Sequence, residues 1–422
     1  MTARDQEPIT VMAPVGPGAI GRLHDAIEAL SRDVSEGPLP FGRIEGLHFA
    51  RFVIIPPSGD GGSIHQLMLL LDCDAPGRTR LRRLVATGGD GLDLVFGLCA
   101  GYPSEANRTA STRYAYLRDH RIPAAATYVN TIGRTVAQTH AEARLREEVE
   151  RFLDSRDDWA AMPAVEVRNK IQGFVKGRAD LNWALKAAPG PALSERLRDK
   201  LHLLAGVGVL AVLAPIAIVG AIPFAVHLRR RERRDPAPRV FPDEAHVREL
   251  AEIEDLVHQN QFTAFGELKP GSFRRYLAIG LLWAVNFGAR HRFNNGNLSG
   301  VKTIHAARWI FIDDKRRVVF CSNYDGSLEN YMDDFIDKVA WGLNAVFSNG
   351  VGYPRTRWLI KGGAKDELAF KSYIRAHQVA SPVWYSAYPD LTAVNIANNA
   401  RIRAGLSGEM DEASALEWLR RF

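Results

Sequence analysis

The sequence predicts an α+β fold in which two copies of one βαββαβ unit share a chain and flank an apolar segment. Three observations carry this expectation. Blocks from the first 150 or so residues recur, in the same order, after residue 260. Each recurring block has the periodicity of a strand or of a helix. Between the copies, Leu203 to Val226 run without a charged or strongly polar side chain.

The repeat fixes the order of elements. LHFARFVII (47–55) matches IHAARWIFI (304–312), and GLDLVFGLCAGYP (91–103) matches GLNAVFSNGVGYP (342–354) with seven identities in thirteen. Residues 116–146 align without a gap to 373–403, and a fainter match pairs 9–18 with 262–271. In each copy a β-rich run (9–15; 262–268) ends in a Pro-Gly turn signal. A helical pattern follows, with Ile20, Leu23, Ile27 and Leu30 in the first copy and Phe273 to Phe287 in the second. Two strand-like runs come next, 47–55 with 65–73 and 303–312 with 317–322. In the second copy, Asp313-Asp314-Lys315-Arg316 reads as the hairpin turn between them. Helices over about 78–98 and 327–348 break at Gly-Tyr-Pro, and short helices lead to last strands at 125–130 and 382–388. This is the ferredoxin-like order. Such a sheet has one bare face, which two copies can bury against each other. The expected units are 1–155, a linker over 156–259, 260–408, and a tail over 409–422.

Leu203–Val226 spans 24 residues, which at ~1.5 Å per residue gives ~36 Å of helix, enough to cross a bilayer. A single span would place the copies on opposite sides and forbid a shared interface. Both flanks are basic, whereas a true span carries asymmetric charge. Pro215 and Pro223 each remove a helix hydrogen bond. The sequence therefore favours a helix–break–helix hairpin dipping into one leaflet over a single span with the copies paired between chains, with homo-oligomerisation one way to shield the break. Tyr276–Ala289 is apolar but too short to span, and reads as a helix packed on two sides.

The net charge of +6 and pI near 9.2 are concentrated beside the apolar segment. Arg229, Arg230, Arg231, Arg233 and Arg234 lie on one side, and Arg196, Arg198 and Lys200 on the other. Cations there suit anionic headgroups. The rest of the chain is close to neutral, so no nucleic-acid partner is expected. Cys73, Cys99 and Cys321 lack metal-ligand spacing and suggest a reducing compartment. The N-terminus has no signal-peptide pattern. The expected location is the membrane, with both copies on the cytoplasmic side.

The two-copy pattern resembles the dimeric α/β-barrel superfamily in its fused form, which includes dye-decolourising peroxidases, chlorite dismutases and small haem-degrading or antibiotic monooxygenases. The resemblance covers roughly 9–155 and 260–408. The nearest counterpart of the peroxidases' Gly-x-x-Asp-Gly signature is Ser322-Asn323-Tyr324-Asp325-Gly326, which lacks the first glycine. Those enzymes hold haem through a histidine on a helix of the second half, and 327–348 contains none. The resemblance implies a pseudo-dimeric α/β barrel, oxidoreductase chemistry and haem as cofactor.

Candidate site residues follow from strand alternation. His305, Ala307, Trp309 and Phe311 share one predicted face, with Ile304, Ala306, Arg308 and Ile310 on the other. His48 and Arg51 hold the same positions in the first copy. His305 is a candidate ligand or acid/base, Arg308 an anion binder and Asp325 part of an active-site loop. His305, His377 and Trp309 are the candidates for contact with a cofactor. The competing readings are satisfied core residues for the histidines and arginines, a capping role for His377, and an N-capped turn at 322–327. Glu254 and His258 have helical i,i+4 spacing, which alone does not make a metal site, and none is expected. Hydrolase, Walker and dinucleotide motifs are missing. The expected function is a membrane-associated oxidoreductase acting on a hydrophobic small molecule, with a single active site in the second copy. The alternative is a non-catalytic, membrane-tethered binder of lipophilic ligands or a subunit of a membrane complex.

Overall fold

The computed structural model describes residues 6–58, 64–187, 193–236, 240–293, 296 and 298–422; the N-terminal stretch 1–5 lies outside them. The first half runs β1 (Gln6–Pro14), α1 (Ile20–Ser31), β2 (Leu47–Ile55), β3 (Gln66–Asp74), α2 (Gly77–Thr87), α3 (Gly89–Phe96), α4 (Ala110–Asp119), β4 (Ala126–Val129) and α5 (Val136–Asp154). The connection holds α6 (Ala164–Gly177), α7 (Leu193–Arg234) and α8 (Glu244–Ala251). The second half runs β5 (Gln259–Glu267), α9 (Ser272–His291), β6 (Ile304–Ile312), β7 (Arg317–Asp325), α10 (Leu328–Phe347), β8 (Thr356–Arg357), β9 (Lys361–Gly362), α11 (Glu367–His377), β10 (Trp384–Ser386), α12 (Ala393–Gly405) and α13 (Glu412–Leu419). The single helix expected over 78–98 is two, because Gly88 closes α2 through its N–H to the Leu84 carbonyl (2.8 Å).

Two four-stranded antiparallel sheets result, ordered β1-β3-β2-β10 and β5-β7-β6-β4, with β8 and β9 paired as a separate hairpin. The last strand of each half therefore joins the other half's sheet. Trp384–Ser386 pair with Phe49–Arg51, and Ala126–Val129 pair with Ala306–Trp309. This corrects the expectation of two self-contained units. The exchange closes the otherwise open edges of β2 and β6 and ties the halves by backbone hydrogen bonds. Both sheets carry a bulge at the same place, between Leu47 and Phe49 on β2 and between Ile304 and Ala306 on β6.

Helices cover the outer faces. Leu23, Leu81, Leu92 and Tyr116 pack on the first sheet, and Leu282, Tyr331, Phe335 and Phe370 on the second. The inner faces meet through Val53, Ile55, Met68 and Leu70 against Ile310, Ile312, Val319 and Cys321. Residues expected to lie in the linker and the tail instead form α6 and α13. These pack with α5 and α12 around Leu145, Val167, Ile171, Ile402 and Trp418.

α7 is one continuous helix of 42 residues with Pro215 and Pro223 inside it, ~63 Å of contour at 1.5 Å per residue. The expected break into a hairpin is corrected accordingly. It is long and apolar enough to cross a membrane. It also runs antiparallel to α9, touching it toward both ends. His202 meets His291 (2.9 Å) and Asp199 pairs with Arg290 (2.7 Å). A side chain at Gly206 would collide with Phe287, its Cβ falling 2.1 Å from that ring. At the far end Phe224 and His227 pack on Phe273, and Asp235 binds Lys269 and Arg274. Between these contacts the apolar side chains point outward, Val219 at 82% exposure.

Candidate functional site

The matched bulges decide where the histidines point. Each inserts one extra residue, His48 or His305, which shifts the alternation by one. Beyond the bulge, Ala307 and Trp309 belong to the helix-covered core, while Arg308 reaches across to the first sheet. Strict alternation would put His305 with Ala307 and Trp309. The bulge turns it instead to the inner face, where it meets Phe49 of the opposing sheet at 5.5 Å between ring centroids. The predicted face for His305 is thereby corrected.

Both imidazoles are buried, His48 at 2% exposure and His305 at 6%. His48 Nε2 lies 2.9 Å from Asp74 Oδ1, and its Nδ1 lies 2.8 Å from the Tyr388 hydroxyl. A carboxylate can only accept, so Nε2 carries the proton, and neutral Nδ1 accepts from the tyrosine O–H. His305 Nε2 donates to Asp325 Oδ1 (2.6 Å), and Asp325 Oδ2 accepts the N–H of Ala393 at the start of α12 (2.8 Å). A carboxylate at a helix N-terminus is favoured by the partial positive charge there. Tyr388 stands between the histidines, its ring 5.8 Å from His48 and 6.2 Å from His305. His140 on α5 lies 6.2 Å from it on another side.

The turn carrying Tyr388 is held from several directions. Gln259 Nε2 donates to the carbonyls of Tyr388 (3.0 Å) and Leu391 (2.6 Å), while Ser386 Oγ donates to Gln259 Oε1 (2.7 Å). Burial and the charges of Asp72, Asp74 and Asp325 push the Tyr388 hydroxyl well above its ordinary value. It is therefore a proton donor to His48 and not a phenolate. Burial pulls His140 below its usual value.

Next to this centre lie two arginines. Arg51 donates to the carbonyls of Phe262 (2.9 Å) and Ser322 (2.9 Å), to Thr263 Oγ1 (3.0 Å) and to Asn323. Arg308 donates to the carbonyls of Ile9 (2.9 Å) and Leu71 (2.9 Å), and pairs with Asp72. Each guanidinium is spent on the opposite sheet, so Arg308 is not free to bind an anionic substrate.

Of the sequence candidates, His305 and Asp325 come together. Trp309 lies on the helix-covered face against Phe320 (4.7 Å between centroids). His377 binds the Tyr373 carbonyl (2.8 Å) and lines a separate apolar cavity of about 50 Å³. Glu254 is taken by Arg375 and Gln378. Ser327 caps α10 by accepting from the Asn330 N–H (3.3 Å), while Ser322 to Asp325 are the end of β7 and not a loop. Tyr388 was missed. Its counterpart in the repeat alignment is Thr131, so it is one of the residues found only in the second copy, and only its contacts single it out.

These residues do not fit a haem. His305, His377 and Trp309 face different spaces, His305 is engaged by Asp325, and 50 Å³ beside His377 falls far below the several hundred Å³ of a cofactor pocket. Among the described residues no group of three or more His, Cys, Asp or Glu side chains is arranged to hold a metal ion.

A larger groove, of about 620 Å³, lies between the halves. Ile27, Phe52, Ile54, Phe241 and Phe265 line it, with His65 among its polar residues. No known family, no curated protein and no solved structure matches the chain.

Proposed function

We propose that the protein is a membrane-associated enzyme, an oxidoreductase acting on a hydrophobic small molecule that partitions into the bilayer, with Tyr388, His48 and His305 at its reacting centre. The observation that carries this reading is the chain Tyr388 O–H to His48 Nδ1, His48 Nε2–H to Asp74. A hydroxyl, a base and an orienting carboxylate in that order form a proton-transfer unit. The second pair, His305–Asp325, faces the same tyrosine from the other half. The centre thus draws on both halves, which replaces the expectation of a site confined to the second. The oxidoreductase class rests on the α/β-barrel resemblance of the repeated blocks, and the like order and matched bulges of the two sheets support reading them as a duplication. No step here runs through haem.

Membrane association is supported by α7, whose outward side chains are apolar on every side. Its attachment to α9 toward both ends, and the interface between the halves, support a geometry with both halves on one side of the bilayer.

A second reading is favoured by the groove between the halves, whose volume suits a drug-sized lipophilic ligand. In it the histidine centre only pins the sheets and the protein is a non-catalytic binder. The test is turnover by the full chain in lipid nanodiscs of a panel of lipophilic phenols and quinols, with oxygen or hydrogen peroxide as oxidant. Turnover that Tyr388→Phe and His48→Gln abolish, with folding intact, is the expected result. Absence of any such turnover, with saturable binding of the same probes weakened by Phe52→Ser, overturns the enzyme in favour of the binder. A Soret band in the detergent-purified protein would overturn the exclusion of haem.

A further inference from the structure

At the C-terminal end of the apolar helix the structure assigns a binding pocket for the phosphate of an anionic phospholipid, formed by Arg230, Arg233 and Arg357 with Trp358. This goes beyond the proposed reaction and rests only on the membrane-association part of that reading.

Val226, Arg229, Arg230 and Arg233 stand at i, i+3, i+4 and i+7, so they form one stripe along α7. That stripe lines a recess of about 520 Å³ whose other wall is Arg357 and Trp358, at the tip of the β8–β9 hairpin. The hairpin is held there by a buried organiser. Glu232, 1% exposed on the neighbouring face of α7, accepts from the backbone N–H groups of Trp358 (3.0 Å) and Leu359 (2.8 Å). Those two N–H groups converge because both residues are left-handed, with φ of 58° and 62°. Consecutive N–H groups in such a turn make a cradle for an anion, and Glu232 fills it. Arg229 completes the clamp, donating to Glu232 (2.7 Å) and lying 5.9 Å from the centre of the Trp358 ring.

The clamp uses the charge of Arg229 and leaves three others. Among the described residues, Arg230, Arg233 and Arg357 have no carboxylate partner, and all three are exposed. Three unpaired guanidinium groups around one recess repel one another, and an anion between them removes that cost. Guanidinium forks match phosphate oxygens two at a time. The level of the recess points to lipid as the source. The helix is apolar up to Phe224 and Val226, both exposed, and the arginines begin one turn later. Trp358 and Ile360 are exposed at the same end, and tryptophan favours the headgroup layer. A protein immersed along α7 holds this recess where lipid phosphates lie.

The test uses the full chain, delipidated in mild detergent, with phosphatidylglycerol and phosphatidylcholine of identical acyl chains added separately and bound lipid counted by native mass spectrometry. The expected result is preference for phosphatidylglycerol, lost in Arg230→Gln/Arg233→Gln/Arg357→Gln at about fivefold per arginine. A charge-matched control at exposed arginines elsewhere, Arg32→Gln/Arg83→Gln/Arg118→Gln, keeps the preference. Equal binding of the two lipids, or equal loss in both triple variants, overturns the pocket. Inorganic phosphate or a short acidic peptide that displaces the lipid at matched concentration overturns the lipid assignment. Flotation with vesicles of pure phosphatidylcholine reads membrane association separately. A protein that floats without lipid preference has lost the pocket alone, and one that floats with no vesicle has lost the membrane reading.

Discussion

Arg51 and Arg308 cross the space between the sheets in opposite directions, each donating to two backbone carbonyls of the other half. Arg51 reaches Phe262 and Ser322, and Arg308 reaches Ile9 and Leu71, all four at 2.9 Å. Together with the exchanged strands they make the two halves one folding unit. They differ in charge compensation: Arg308 has Asp72 beside it, whereas Arg51 binds mainly neutral acceptors. Arg308→Ala leaves the half-buried Asp72 without its cation, strands two carbonyls and should cost about 3–5 kcal/mol. Arg51→Ala strands carbonyls and should cost about 1–3 kcal/mol. Urea titration followed by tryptophan fluorescence reads both. Equal and negligible losses would show that the halves are held by their apolar contacts alone.

Acidification should loosen the protein through His140 and His377. Burial lowers both imidazoles below the usual 6.5. A histidine depressed in the folded state takes up its proton first when unfolded. Its stabilisation is therefore complete above the unfolded value and is lost as pH falls from there toward the folded one. Stability should decline from about pH 6.5 downward, and His140→Gln/His377→Gln should flatten that decline. An unchanged slope in the double variant rules these two groups out as its source.

The outward face of α7 should be separable from the fold. Val212, Ile216, Val219 and Ile222 are each more than two-thirds exposed, while the attachment to α9 lies nearer the helix ends. Replacing these four with Gln should give a protein that stays in solution without detergent and melts at the same temperature. Gly206→Leu, by contrast, drives a side chain into Phe287 and should cost about 1–3 kcal/mol through overpacking. A large stability loss in the four-Gln variant would mean that the outer face packs on protein and not on lipid.

Most of the element order was legible because the strands and helices are long and strongly periodic. The runs at 47–55 and 304–312 were found to within a residue of β2 and β6. Strand exchange was not legible: four-residue β4 and three-residue β10 carry no register information that says which β-edge they join. The bulges were equally silent. A single extra residue reverses the face of His305, and nothing in Ile304-His305-Ala306 marks it. Pro215 and Pro223 argued for a break, yet α7 continues through both. The candidate site was half legible. Polar groups inside apolar strands pointed to His305 and Arg308, whereas Tyr388 follows a three-residue strand as one more aromatic in an apolar stretch and nothing in its surroundings singles it out.

Tyr388 and His48 should behave as one unit. Tyr388→Phe removes the O–H that Nδ1 accepts, leaving a buried acceptor unpaired at a cost of about 1–3 kcal/mol. His48→Gln removes the acceptor of that O–H and loosens Asp74 at the same time. Once either partner is gone, deleting the other sacrifices little more, so the double variant should fall short of the sum by about 0.5–3 kcal/mol. His305 meets Tyr388 only ring to ring, at 6.2 Å, and keeps its own bond to Asp325. The cycle of His305→Gln with Tyr388→Phe should therefore be close to additive. A single active site in the second copy would make His305→Ala the more damaging of the two histidine substitutions. With the tyrosine bonded to His48, the order reverses, and His48→Gln should be the more damaging to any activity that Tyr388 supports. Additive losses in the His48 cycle, or strong coupling only in the His305 cycle, would remove the proton-transfer chain from the account.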